Sequence, residues 1–248
     1  MKNIIIVIII AICCSCSQQQ YVVSDIRAQR FSIVKNDTIT PAPQLRETVQ
    51  KYKYLHDKEM NQVLGHSAES MTYGRPESLL TNLTSDVMLD YAKSAGKKCD
   101  LSLMNVNGHR SNMPKGEITL GTLYEIYSFE NALVWAQLRG SDLLEIFESY
   151  AKLGGAGLSS TARLIIKDGK LIDAKVEGKP IDKNKVYSIV TLDYLAEGND
   201  GMDAMKKAIT SEPFGITLRD VMINYIKDKT LKGQEITSQL DGRIRIEQ

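Results

Sequence analysis

Leu101-Ser102-Leu103-Met104-Asn105-Val106-Asn107-Gly108-His109-Arg110 is an apolar run that passes directly into a polar loop. Leu101 to Val106 is short and apolar, which reads as a buried strand. Two other loops repeat the arrangement. Ser128-Phe129-Glu130-Asn131 precedes the apolar stretch Leu133 to Leu138, and Asp193-Tyr194-Leu195-Ala196-Glu197-Gly198-Asn199-Asp200-Gly201 follows Val186 to Leu192. Polar groups and aromatics gathered at strand ends are where small-molecule sites form. Each loop also has a plainer reading, an aromatic that packs and a glycine turn that only turns.

Outward from these loops the chain alternates helix and strand. Residues 44–60 place Leu45, Val49, Tyr52 and Leu55 at helical spacing, after the break at Pro41-Ala42-Pro43. Residues 78–94 carry a wider apolar face (Leu79, Leu80, Leu83, Val87, Met88, Tyr91), with Gly96 as the stop. Ser141 is placed to cap a helix running to about Lys152, and Thr217 with Asp220 has capping-box spacing ahead of a helix to Lys229. Ile118 to Leu120 and Leu164 to Ile166 read as strands. Asp168-Gly169 between Ile165-Ile166 and Leu171-Ile172 is a hairpin signal. Asp241 to Ile246 reads as a turn and an edge strand, and Tyr21 to Val34 as an early strand or two. The expected fold is one α+β domain over residues 41–248.

Composition narrows the function. The 248 residues hold 31 Lys+Arg against 30 Asp+Glu, and a net charge of +1 argues against nucleic acid, whose phosphates call for clustered cations. The three histidines, His56, His66 and His109, fall in no metal-binding spacing, so no metal site is expected in this chain. Cys99 lies alone in the body, where it has no disulfide partner; it is either reactive or a small packed residue.

The N-terminus reads as an address. Met1-Lys2-Asn3 is a positive start, Ile4 to Ile12 an apolar run too short to span a bilayer, and Ser15 precedes Cys16. This resembles a bacterial lipoprotein signal, with residues 1–16 ending at a lipidated Cys16 and residues 17–40 forming a tether. An ordinary signal peptide with incidental cysteines is the other reading. The lipoprotein reading implies a membrane anchor in a bacterial cell envelope, facing the periplasm or at the outer membrane.

Six segments together carry a family resemblance: Glu77-Ser78-Leu79-Leu80-Thr81-Asn82-Leu83, Asn105 to Arg110, Gly116-Glu117-Ile118-Thr119, Ser128 to Asn131, Gly140-Ser141-Asp142-Leu143-Leu144 and Tyr194 to Gly201. In this order they resemble the C-terminal domain of the 5′-nucleotidase family, which includes UDP-sugar hydrolases and 2′,3′-cyclic phosphodiesterases. The resemblance covers about residues 63–247. It implies a four-layer α/β/β/α fold that grips a nucleoside or nucleotide. It assigns Phe129 and Tyr194 to sandwich the base, Asp200 to the ribose hydroxyls, and Asn105, Arg110 and Asn131 to phosphate, sugar and base. The chemistry suits those residue types. Aromatic faces stack on any base, an ionised carboxylate accepts from both hydroxyls of a cis-diol, and a guanidinium forks onto phosphate.

The chain departs from the family pattern at named places. Val106, Asn107 and His109 stand where the family has Gly, Gly and Ile, which hinders close backbone approach to a ligand. Ser128 and Glu130 replace Pro and Gly, and Glu130 puts a negative charge beside an anion site. The family's upstream phosphate-binding Arg falls on Gly74, with Arg75 one position away. His109 is either an acid/base group or a neutral structural histidine.

Hydrolysis in the family belongs to a preceding domain with two divalent metals, whose His-rich motifs are not found in this sequence. The expected function is therefore the nucleotide-recognition half of a 5′-nucleotidase, a phosphoric monoester hydrolase, inactive alone and completed by a separate metallophosphoesterase chain. The alternatives are a stand-alone nucleoside- or nucleotide-binding lipoprotein and a degenerate scaffold whose pocket has closed.

Overall fold

The computed structural model describes residues 23–30 and 42–247. Residues 48–247 gather into one compact unit, to which the described residues before them do not belong. Residues 23–30 carry no regular structure, so the strand expected within Tyr21–Val34 is not formed over them. That stretch is rich in charge and has no apolar alternation to hold a sheet register. The rest of it, and the lipoprotein signal with Cys16, lie outside the described residues.

The first helix, α1 (Pro43–Met60), forms at the expected spacing yet buries none of its residues; Leu45, Val49, Tyr52 and Leu55 are all exposed. No helix among the described residues is long and apolar enough to cross a membrane.

The remaining elements follow in order as β1 (Val63–Ser67), α2 (Leu79–Ser94), β2 (Leu101–Met104), β3 (Gly116–Thr119), α3 (Leu120–Ile126), β4 (Ala132–Arg139) and α4 (Gly140–Lys152). Then come β5 (Gly157–Leu158), β6 (Ala162–Lys167), β7 (Lys170–Val176), β8 (Lys179–Pro180), β9 (Val186–Leu192), α5 (Asp193–Ala196), β10 (Thr210–Thr217), α6 (Leu218–Leu231) and β11 (Ile244–Glu247). They make a five-stranded sheet ordered β10-β4-β9-β2-β5, a four-stranded sheet ordered β11-β6-β7-β8, and a β1-β3 pair. This is the mixed α+β class that the resemblance implies.

The five-stranded sheet is the core. β9 pairs parallel with β2 and antiparallel with β4. All of β2 and all of β9 after Val186 are buried, which requires cover on both faces. Helix α2 touches β2, β5 and β9, while α4 touches β4 and β9 and also β6 and β7 of the other sheet. β6, by contrast, alternates buried and half-buried positions, burying Ala162, Leu164 and Ile166.

Turn chemistry is where the sequence predicts most closely. Asp168 and Gly169 take φ of 49° and 70°, the left-handed pair that a two-residue hairpin demands, and β6 and β7 close around them. Thr217 caps α6, its hydroxyl accepting from Asp220 N at 3.1 Å. Ser141 does not cap α4. That helix already begins at Gly140, whose missing side chain lets it lie against the Asp182 carbonyl, where a Cβ would come within 2.0 Å. β10, polar and containing Pro213, is a strand that hydrophobic alternation does not signal. β1, β5 and β8 are likewise additions to the sequence reading.

Candidate functional site

The C-terminal end of β2 and the α5 turn at the end of β9 bring the first and third loops together, and the loop after α3 supplies the second. Asn105, Arg110, Phe129, Asn131, Tyr194 and Asp200 all line one cleft of about 270 Å³, joined by Asn107 and Gly108. The six residues the resemblance singles out thus converge, although they lie up to 95 positions apart.

Each is held by its own local geometry. Asn105 leaves β2 just ahead of a 3₁₀ turn, Val106–Gly108. Its amide bends back over Gly108, where a Cβ would sit 2.8 Å from Asn105 Oδ1 and push that amide from its place. Asn105 Nδ2 donates to Asp200 Oδ2 at 2.7 Å, while Oδ1 is buried without a hydrogen bond.

Asp200 sits at φ 54° in the left-handed region, flanked by Gly198 at 88° and Gly201 at 77°. Gly-Asn-Asp-Gly is suited to such a turn because Gly has no Cβ to clash and Asp tolerates left-handed φ. Asn199 Nδ2 closes the loop onto the Tyr194 carbonyl at 2.8 Å. Tyr194 Oη donates to Asp200 Oδ1 at 3.1 Å, and the neighbouring carboxylate holds the phenol above its ordinary pKa. Asp200 therefore receives one donor on each oxygen.

Phe129, 49% exposed, also lines the cleft, with the Arg110 guanidinium 5.7 Å from its ring centre. The loop that carries Phe129 is anchored from α6. Arg219, buried, donates to the Tyr127 carbonyl at 2.9 Å and to Glu130 Oε1 at 2.6 Å, and stacks over Tyr124 at 4.0 Å. Leu218 N donates to the Asn131 carbonyl at 2.9 Å.

Two of the departures from the family pattern are therefore harmless to the opening. Glu130 is paired with Arg219 and does not line the cleft; Val106 is buried and does not line it either. His109 is buried as well. Its Nδ1 lies 3.1 Å from the Val106 carbonyl, and its Nε2 lies 2.9 Å from Thr84 Oγ1. Burial lowers its pKa to about 4, so it stays neutral and holds the loop rather than moving protons.

A larger hollow of about 460 Å³ shares Asn105, Asn107 and Asp200 with the cleft and adds Arg75 and Lys152 at its rim and Tyr150 and Met202 in its lining. Arg75 is oriented by its Nε, which donates to the Gly155 carbonyl at 2.9 Å. Lys152, at the end of α4, carries no motif that a sequence reading could use, and Met202 comes to the lining directly behind the Gly198–Gly201 turn.

Among the described residues no three His, Cys, Asp or Glu side chains converge, His66 stands exposed on β1, and both ring nitrogens of His109 are engaged. The residues present do not fit a two-metal centre.

A sequence profile for the 5′-nucleotidase, C-terminal domain matches residues 62–207, more than half of the chain. The chain belongs to that family. Among curated relatives it is 26% identical over 223 residues to the trifunctional nucleotide phosphoesterase protein YfkN of Bacillus subtilis, covering 82% of this chain and 15% of that protein. It is 29% identical over 183 residues to the cell wall protein Lmo0130 of Listeria monocytogenes, covering 67% of this chain and 23% of the relative. Among solved structures it is similar to the 5′-nucleotidase precursor of Thermus thermophilus, at 27% identity and a TM-score of 0.72, covering 81% of this chain and 42% of that one. The chain spans less than half the length of each of these relatives.

Proposed function

We propose that this chain is the nucleoside-recognising half of a 5′-nucleotidase, and that a separate two-metal phosphoesterase completes it. The observation that carries this reading is the convergence of Phe129, Tyr194, Asp200, Asn105, Arg110 and Asn131 on one cleft. A volume of about 270 Å³ is near the lower end, about 300 Å³, of ordinary ligand sites, which suits one nucleoside between two rings. The base would stack on Phe129 and Tyr194, the ribose would face Asp200, and Arg110 would meet phosphate. Hydrolysis would come from the two divalent metals of the partner, since this chain's residues do not fit them. The site reading leaves the chain's place in the cell to the Cys16 signal, from which we propose a lipid anchor in a bacterial envelope.

The test is reconstitution. The chain alone releases no phosphate from 5′-nucleotides, and addition of a two-metal phosphoesterase domain restores release. The double substitution Phe129→Ala, Tyr194→Ala then raises KM at least about tenfold, as the loss of two stacking faces requires. Unchanged kinetics in the double variant defeat the assignment of the cleft.

A further inference from the structure

One contact joins two recognition tasks in the cleft that the nucleoside reading assigns. Tyr194 is 40% exposed and lines the cleft, and its hydroxyl is engaged by Asp200. Asn105 Nδ2 occupies the other carboxylate oxygen. A carboxylate has about four acceptor positions, so two internal donors leave one open position on each oxygen. A vicinal cis-diol brings two donors with the matching separation.

Resting on that nucleoside reading, we propose that the Tyr194 hydroxyl is a specificity-determining group. It fixes the Asp200 carboxylate so that its open positions read a cis-diol, and it ties stacking on the Tyr194 ring to selection of ribose over deoxyribose. A ligand with one sugar hydroxyl fills one of those positions and forfeits the second charge-assisted bond. Without the phenolic donor the carboxylate is held only by Asn105 and can turn, so the two oxygens no longer address both hydroxyls at once.

The backbone that carries Asp200 does not depend on that hydroxyl. The turn is shaped by Gly198, Asp200 and Gly201 at positive φ and by the Asn199 side chain on the Tyr194 carbonyl. Tyr194→Phe therefore keeps ring, loop and fold while removing one donor. Because the Asp200 carboxylate raises the pKa of the phenol, Tyr194 remains a donor at neutral pH.

Calorimetric titration of the full chain with adenosine, guanosine, cytidine and uridine, each beside its 2′-deoxy counterpart, tests the inference. The wild type is expected to favour the ribonucleosides. Tyr194→Phe is expected to weaken ribonucleoside binding about tenfold and deoxynucleoside binding less than about twofold, the scale of one hydrogen bond to a charged group. Equal weakening of both series, or no change in either, overturns the coupling and leaves Tyr194 a stacking residue. Phe129→Ala separates the two failures. If it weakens both series alike while Tyr194→Phe leaves their ratio intact, the cleft stands and the coupling falls. If none of the four ribonucleosides binds the wild type, the cleft reading falls and the coupling with it.

Discussion

Around Arg243 the cation is sealed in and its carboxylates are partly covered; around Asp200 the charges face solvent. Arg243 is 1% exposed and donates to Asp241 Oδ1 at 3.0 Å, Asp86 Oδ2 at 2.9 Å and the Leu158 carbonyl at 2.7 Å. Beside it Glu77 Oε1 accepts from Asn82 Nδ2 at 2.7 Å and from Asp241 N at 2.8 Å. Together they pin α2 to the C-terminal tail and the turn after β5. Asp200 also has two donors, but it is exposed, and Arg110, Arg75 and Lys152 around it are exposed as well. The two clusters sort the family segments by use. Glu77 and Asn82 belong to a strut, whereas Tyr194 and Asp200 are exposed and Asp200 keeps acceptor positions open.

The contrast breaks most sharply at Arg243. Arg243→Met leaves Asp86 and Asp241 without their counter-charge, and denaturant unfolding should show a loss of about 4 kcal/mol. Nucleoside binding by the fraction that remains folded should be unaltered, since Arg243 does not line the cleft.

His109, at the boundary of the two regions, gives the next effect, through pH. Its pKa is lowered from 6.5 to about 4 in the folded protein, so the unfolded chain binds the extra proton first. Stability contributed at neutral pH is therefore lost as pH falls from 6.5 and the loss is complete below about 4, reaching about 3 kcal/mol. Unfolding curves of the wild type should fall more steeply with acid than those of His109→Gln across that window. Parallel curves would mean that the histidine is not neutral in the fold.

At the cleft, Phe129→Ala should cost about 1–2 kcal/mol in nucleoside affinity by titration while leaving the unfolding midpoint in place, because the ring is half exposed. Glu130→Gln should change least. The carboxylate is 78% exposed and Gln keeps an acceptor for the buried Arg219, so binding and stability should each change by less than about 1 kcal/mol. A large gain in phosphate-ligand affinity from this variant would show that Glu130 repels anions after all.

How much of this was legible depended on the range of the interaction. β9 is found at Val186–Leu192 as expected because an unbroken apolar run is a local signal, and the Asp168-Gly169 turn because two left-handed residues are a local demand. The six cleft residues were legible as polar groups at strand ends, placed in company by their order. Arg243 was not, since its partner Asp86 lies 157 positions away and nothing near it marks it as buried. Lys152 was obscured for the same reason, since its nearness to Asp200 depends on how α4 lies; Arg75 was legible as a basic residue one position from the family's Arg, but its hold on the Gly155 carbonyl, 80 positions away, was not. β10 escaped because Thr210–Thr217 is an edge strand with little buried, so it has no alternation to read.

That edge has a colloidal consequence. The five-stranded sheet ends on one side in β10, which holds Glu212 and Pro213, and on the other in the two residues of β5. The four-stranded sheet ends in β11, with Arg245 and Glu247, and in β8, two residues long and finishing in Pro180. Charge, proline and brevity leave these four outer strands, among the described residues, little free rail of amide and carbonyl groups. Such edges are poor templates for strand addition by another chain, which favours dispersal when the protein is crowded.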